Sequence, residues 1–388
     1  MKPRRSVSRV LVLFLIAGGL FSSLRGEDPD AEKRLREHVS FLASPDLRGR
    51  GMLADRRKAA DYLEQEYRKL GLQPLFPGSY QQEIPLPAKA GEPTMNMGVN
   101  VGALLPGGDP KLKDEWIILS AHYDHLTPGS SNYYPGADDN ASGVAMVLEV
   151  ARALKLSGKG FKRSIAFVNF DLEESLLWGS RWFVAHPPLP LEELKLFMTA
   201  DLLGRNVGDL PLRMLFVMGS EHGTGLEQYL PAVAEGSQLQ IGRLGIDIVG
   251  TRSDYGTFRD KEIPFLFFST GQHPDYHTPR DRPERLLYDK LKEICLFIEG
   301  VVRRAADDAE TPHWIAKPAP SREELKTIQQ ITAVLLDPKT EKKLTDRQRL
   351  FVAQFDAQLR ELLKRESYTK EEHAKVVRST QWLMVMLF

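Results

Sequence analysis

The run WIILSAHYDH, residues 116–125, changes character halfway along: Trp116 to Leu119 is unbroken apolar sequence, and the residues after it include His122 and Asp124. A short apolar run of this kind reads as a buried strand. A histidine and a carboxylate just past its end point to a sheet that carries chemistry at its strand tips, since functional groups of open α/β sheets gather outside the carboxyl ends of the strands. Three more runs repeat the pattern. Ile165 to Phe170 leads into DLEES with Glu173 and Glu174, Leu196 to Met198 into TADLLG with Asp201, and Phe265 to Phe268 is followed by PDYHTPRD with Tyr276 and His277. Between the first two runs, GADDNASG (136–143) supplies Asp138 and Asp139. It opens a stripe of Val144, Val147, Leu148, Ala151 and Leu154 whose i, i+3, i+4 spacing fits a helix packed on a sheet. The alternation predicts an α/β fold.

The sequence on either side of that core gives the rest of the organisation. Apolar positions at helical spacing run from about Glu32 to Leu70 and stop at Gly71, and a loop rich in Pro and Gly is expected from Pro74 to Pro93. From about Glu310 the character changes: Pro312, Pro318 and Pro320 form a linker ahead of helix-like segments at Glu323 to Leu336, Asp346 to Lys364 and Lys370 to Leu387. The expected division is a signal peptide over 1–26, a catalytic α/β domain over 27–309 and a helical extension over 310–388.

Composition narrows the class. The 388 residues are 42% hydrophobic and 27% charged, which suits an ordinary globular protein, and 52 basic residues balance 52 acidic ones. No net field favours nucleic acid or an anionic membrane. Cys295 is the single cysteine and lies in the apolar run LKEICLFIEG, so it reads as a buried core thiol with no disulfide to form. At the amino terminus Lys2, Arg4, Arg5 and Arg9 precede an apolar stretch from Val10 to Phe21, after which charge returns at Arg25. That stretch is too short for a stable span and has the layout of an export signal, cut near Gly26, so a periplasmic or extracellular location is expected with no stable membrane insertion afterwards.

Each chemical residue has an ordinary reading when taken alone. A histidine after a strand is more often a satisfied surface or core residue, paired glutamates are usually a solvated face, and Asp138 and Asp139 would pass as turn and cap residues. Asn140-Ala141-Ser142 also matches a glycosylation acceptor, but its place in an acidic loop argues against that. The joint order changes the balance: His with Asp two residues on, then Asp-Asp-Asn at an expected helix start, then Glu-Glu, Asp and His, which like the first pair lie at or past expected strand ends.

In that order the motifs AHYDHL, GADDNASG, FDLEESLLWGS, TADLLG and DYHTPRDRPE resemble the zinc exopeptidases of the M28 type, over about Val39 to Glu299. FLASPDLRGRG and TRSDYGTFRDKEIPFLFFSTG match flanking stretches of the same family. The resemblance implies a mixed, mainly parallel sheet sandwiched between helices. It implies that His122, Asp139 and Asp201 hold one zinc, that Glu174 and His277 hold a second with Asp139 bridging, and that Glu173 is the general base. Two departures are visible. Leu176 stands where a glycine is usual, and Trp178 where a smaller aliphatic is common, so the shape of the pocket is expected to differ.

The chemistry of the residue types agrees with those roles. Two imidazoles and three carboxylates without a thiolate suit zinc, cobalt or manganese, zinc being the usual ion of hydrolytic sites, and one carboxylate can give an oxygen to each of two ions. Asp124 is cast as the acceptor that fixes the His122 tautomer, and Tyr276 as a donor to the developing oxyanion. The expected activity is removal of amino-terminal residues from peptides with free amino termini, using two Zn2+ per chain. The competing readings are a glutaminyl-cyclase-like or carboxypeptidase-like relative on the same sheet, or a binding module without catalysis.

Overall fold

The computed structural model describes residues 28–86, 95–127, 133–233 and 236–387. The expected signal peptide lies outside them. Among the described residues no helix is long and apolar enough to cross a membrane.

The helical stretch before Gly71 is two helices, α1 (Ala31–Leu42) and α2 (Leu53–Lys69), where the spacing alone suggested one continuous segment. The break is a turn at Pro45–Arg50 in which Arg48, Gly49 and Arg50 all take positive φ. Gly49 is required there, because a Cβ would stand 2.1 Å from the carbonyl oxygen of Tyr134. The segment expected to be a loop instead contributes strands β1 (Gln73–Pro74) and β2 (Gln81–Pro85), both antiparallel to β3 (Asn96–Leu105). Only Ile84 of β2 is buried, so this edge strand carries little apolar signal and is held by its pairing with β3.

The four apolar runs are strands: β4 (Trp116–His122), β5 (Ser164–Phe170), β6 (Leu194–Ala200) and, after β7 (Met214–Met218) and β8 (Gln240–Leu244), β9 (Phe265–Ser269). The sheet order is β1-β3-β5-β4-β6-β9-β7-β8, with β2 also on β3. Its centre, β5-β4-β6-β9, is parallel, and antiparallel pairs join β3 to β5 and β7 to β9. Every residue of β4, β5 and β9 is buried, as expected for strands covered on both faces.

Alternate residues of each strand feed two cores. Ile117, Leu119, Leu196, Met198, Leu266 and Phe268 face α1, α2, α3 (Gly143–Leu156) and α7 (Tyr288–Asp307). Trp116, Ile118, Val168, Phe197, Phe265 and Phe267 face the other layer, with α4 (Trp178–Ala185) and α6 (Tyr255–Arg259). Between β8 and α6 lies the single-turn α5 (Ile246–Val249). Cys295 is buried on α7, and burial pushes its thiol well above the usual range, which keeps it protonated and unreactive.

The tail forms α8 (Arg322–Leu336), α9 (Asp346–Leu363) and α10 (Lys370–Leu387), within a residue or so of the segments expected. Ser321 caps α8 and a Thr345/Gln348 capping box opens α9. Leu325, Ile328 and Leu335 of α8 join the second core, so the extension shares apolar packing with the sheet. It also covers the last strand: Thr327 Oγ1 accepts from the Arg243 amide at 3.0 Å, and Glu324 Oε2 from the Gly245 amide at 2.7 Å. These contacts close an edge that would otherwise offer free backbone donors to another chain.

Candidate metal centre

Parallel register brings the chemistry to one end of the sheet. His122, the last residue of β4, is level with Phe170 of β5, so Glu173 and Glu174 follow in the adjacent loop, and Asp201 follows directly on β6. His277 comes from the loop after β9. Leu172, Leu202 and His277 all have positive φ, and bulky side chains in that region are uncommon outside places where the surroundings impose it.

Five side chains expected to meet do so, in two groups that share one member. His122 Nε2 is 3.4 Å from Asp139 Oδ1 and 3.5 Å from Asp201 Oδ2. His277 Nε2 is 3.0 Å from Asp139 Oδ2 and 3.3 Å from Glu174 Oε1. Asp139 therefore presents one oxygen to each group. Its neighbour Asp138 turns away, accepting from the Gly204 amide and facing His273 Nε2 at 3.2 Å. The turn that separates the two aspartates is pinned by Asp281, whose carboxylate accepts from the amides of Asp138 and Asp139 at 2.9 to 3.0 Å. Asn140 is fully buried: its Nδ2 donates to the Ala200 carbonyl, and its Oδ1 accepts from the Gly143 amide.

His125 is the residue that sequence reasoning passed over. Its side chain is fully buried, with Nδ1 2.9 Å from Glu174 Oε1 and 3.7 Å from Asp139 Oδ2, and it completes a second group of four donors, His125, Asp139, Glu174 and His277. Its only sequence signal was membership of AHYDH, three residues past His122. Asp124 lies beside His122 as expected, but its carboxylate is 3.5 Å from Nδ1, and the nearer oxygen is its own main-chain carbonyl at 3.2 Å. The two carboxylate oxygens accept instead from the amides of Glu173 (3.0 Å) and Glu174 (3.2 Å), so Asp124 chiefly holds the glutamate loop in place.

A second brace is Arg50, from FLASPDLRGRG. It is fully buried and donates to the carbonyls of Leu42, Tyr123, Pro135 and Gly136, joining the turn after α1 to the loop that follows His122 and the segment that leads into Asp139. Burial lowers its pKa to about 10 against the pull of Asp139 and Asp124, which leaves it charged at neutral pH.

The electrostatics separate the two glutamates. Burial and the Asp139 charge push Glu174 up, yet the hydrogen bond with His125 and the adjacent His277 imidazole outweigh them and hold it below its ordinary value. Glu173 stands in neither donor group. Burial pushes its carboxyl well above the usual range; His122 opposes this, while the nearby charges of Asp254 and Asp201 add to it. Asp254 is itself buried with both oxygens unpartnered, and burial raises it to about 7. Tyr276 stacks on His277 with ring centroids 3.8 Å apart, and burial pushes its phenol up, so the hydroxyl keeps its proton.

These residues fit a metal. Nε2 of His122, Nε2 of His277 and Oδ1 of Asp201 are buried without hydrogen-bond partners, and three carboxylates packed this closely call for a cation to offset their charge. Imidazole and carboxylate donors without a thiolate suit zinc.

A mixed sheet, parallel at its centre and flanked by helices, with imidazole and carboxylate groups at its strand tips, is the architecture of the zinc exopeptidases. The chain belongs to peptidase family M28, whose family model matches residues 100–301. It is 29% identical over 217 residues to the aminopeptidase YwaD of Bacillus subtilis, a match covering 52% of this chain and 43% of that protein. The chain thus matches less than half the length of that relative. In fold it is similar to a solved zinc aminopeptidase, BSAP, from Bacillus subtilis (TM-score 0.57, 16% identity, 72% of this chain and 96% of that one). A glutaminyl cyclase from Porphyromonas gingivalis shares the fold to nearly the same degree (TM-score 0.53, 21% identity, 70% and 97%).

Proposed function

We propose that this chain is a metal-dependent aminopeptidase that removes residues from peptides with free amino termini. The observation that carries the reading is the division of Asp139, one oxygen toward His122 and Asp201 and the other toward His277 and Glu174. In this reading His122, Asp139 and Asp201 would hold one zinc, and Asp139, Glu174 and His277 would hold a second. Divalent ions held there would supply Lewis acidity to lower the pKa of a water and to polarise the scissile carbonyl.

The protein's own groups do the rest. Glu173, kept out of both donor groups and pushed up by its surroundings, takes a proton from the attacking water and passes it to the leaving amine. Asp124 fixes the direction of Glu173 through its amide, and Tyr276 offers a protonated hydroxyl beside His277 for the developing oxyanion. Residues 1–26 act as an export signal, 27–309 form the peptidase domain and 310–388 the helical extension.

The experiment is a peptide set with free, acetylated and glutamine-led amino termini, assayed with zinc and with chelator. Release of the first residue from free termini, chelator-sensitive and lost on acetylation, is the expected result. Efficient internal cleavage of blocked peptides, or pyroglutamate as the main product, would replace the aminopeptidase reading.

A further inference from the structure

Away from the catalytic centre, one other set of histidine and carboxylate donors converges among the described residues: Asp247, Glu324 and His373, with one ligand atom from each lying within 4.8 Å of the others. They come from three elements far apart in sequence. Asp247 is in α5, Glu324 in the first turn of α8 and His373 in the first turn of α10. His373 Nε2 is 2.9 Å from Glu324 Oε1, and Nδ1 is 3.8 Å from Asp247 Oδ2. Glu324 Oε2 is already engaged with the Gly245 amide, which aims Oε1 into the cluster.

The cluster opens on a cavity of about 360 Å³ between the sheet edge and the extension. Glu221 lines the same cavity and adds a third carboxylate, its Oε1 fixed by the Ile246 amide at 2.7 Å. Burial, with Glu324 and Asp247 adding, pushes Glu221 up to about 7, and Asp247 is raised by burial and by Glu324. Three carboxylates therefore stand around His373, and a second imidazole, His222, lines the cavity on the Glu221 side with its Nε2 4.0 Å from Glu221 Oε1. Arg243, Lys317 and Lys370 also line the cavity, but both lysines are exposed, where water screens them.

We propose that Asp247, Glu324 and His373 form a divalent-cation site, suited to zinc, that fastens α8 and α10 to α5 at the covered edge of the sheet. One imidazole and two carboxylates leave room for water in the remaining positions, and the cavity supplies it. Because the three donors belong to three separate elements, the ion stabilises their docked arrangement by mass action. The alternative clamp is the imidazole itself, protonated between the two carboxylates.

The test is a zinc titration of the full-length holoenzyme by calorimetry, with thermal unfolding followed in parallel, on the natural chain and on His373→Ala and Asp247→Asn. Asp247 has an exposed side chain, so its variant keeps the fold even if removal of His373 does not. The natural chain should take up one more zinc than His373→Ala and gain Tm with zinc. Asp247→Asn should bind that ion about tenfold or more weakly, with peptide hydrolysis unchanged. Equal zinc uptake by all three proteins would overturn the proposal. So would a Tm gain on acidification through the imidazole range with no gain from zinc, which would assign the clamp to the imidazolium.

Discussion

His125 Nδ1 lies 2.9 Å from Glu174 Oε1, and both side chains face the Asp139 oxygen that also meets His277. The buried imidazole fixes the direction of the carboxylate on which the second ion would depend, either as its hydrogen-bond donor or as a further ligand.

Replacing His125 by Ala should weaken metal at the second position by about 10- to 100-fold, the usual cost of losing a group that orients a ligand. The first position, which His125 does not contact, should keep its ion. Competition with a chelator of known affinity measures both, and unchanged affinity at both positions would leave His125 with no part in metal binding.

Glu173 and Glu174 should separate although their chemistry is the same. Glu173→Gln keeps size but loses the basic oxygen, so it should retain both metals and lose on the order of 10²-fold or more in turnover. Glu174→Gln should lose the second metal. Metal content and steady-state rates on both variants check this, and the reverse pattern would exchange the two roles.

Chelation should abolish hydrolysis reversibly and also lower Tm. Without cations, the carboxylates of Asp139, Glu174 and Asp201 remain packed together with only imidazoles for compensation. Thermal unfolding before and after chelator, and again after zinc is restored, follows the effect; an apo-protein as stable as the loaded one would contradict it.

Lys290 gives a pH prediction away from the metals. It is fully buried, its Nζ donates to Arg205 O at 2.7 Å and Asn206 Oδ1 at 2.8 Å, and burial lowers its pKa to about 7 against an unfolded value near 10.5. Between those values the unfolded chain holds a proton that the folded chain does not, so this group adds stability as pH rises from about 7 toward 10. The Tm advantage of the natural chain over Lys290→Met should therefore grow across that range, and a flat difference would show that Lys290 stays charged in the fold.

The donor-bearing end of the sheet was legible because its strands are largely apolar runs with a chemical residue at or beyond each end: His122 closes β4, Asp201 follows directly on β6, and Glu174 and His277 come from the loops after β5 and β9. What the sequence hid lies where tertiary contact overrides local pattern. β2 and β8 are mostly polar and exist through pairing with β3 and β7. The break between α1 and α2, at the turn Pro45–Arg50, was not read from the spacing, and the close approach of Tyr134 to Gly49 is a contact that spacing does not encode. His125 and the true partners of Asp124 depend on how one loop folds onto the next, which residue spacing does not encode. Leu176, placed where a glycine is usual, has φ 63° and an exposed side chain, which is a physical reason for glycine to be preferred at that point.

The proposed chemistry turns on Asp139 joining two ions. Crystals of the purified protein, with diffraction recorded on either side of the zinc absorption edge, test this most directly. Two zinc peaks are expected at this centre, roughly 3.5 to 4 Å apart, one against His122 and Asp201 and the other against Glu174 and His277, with Asp139 between them. A single peak there, in protein that hydrolyses peptides at full rate, would contradict it.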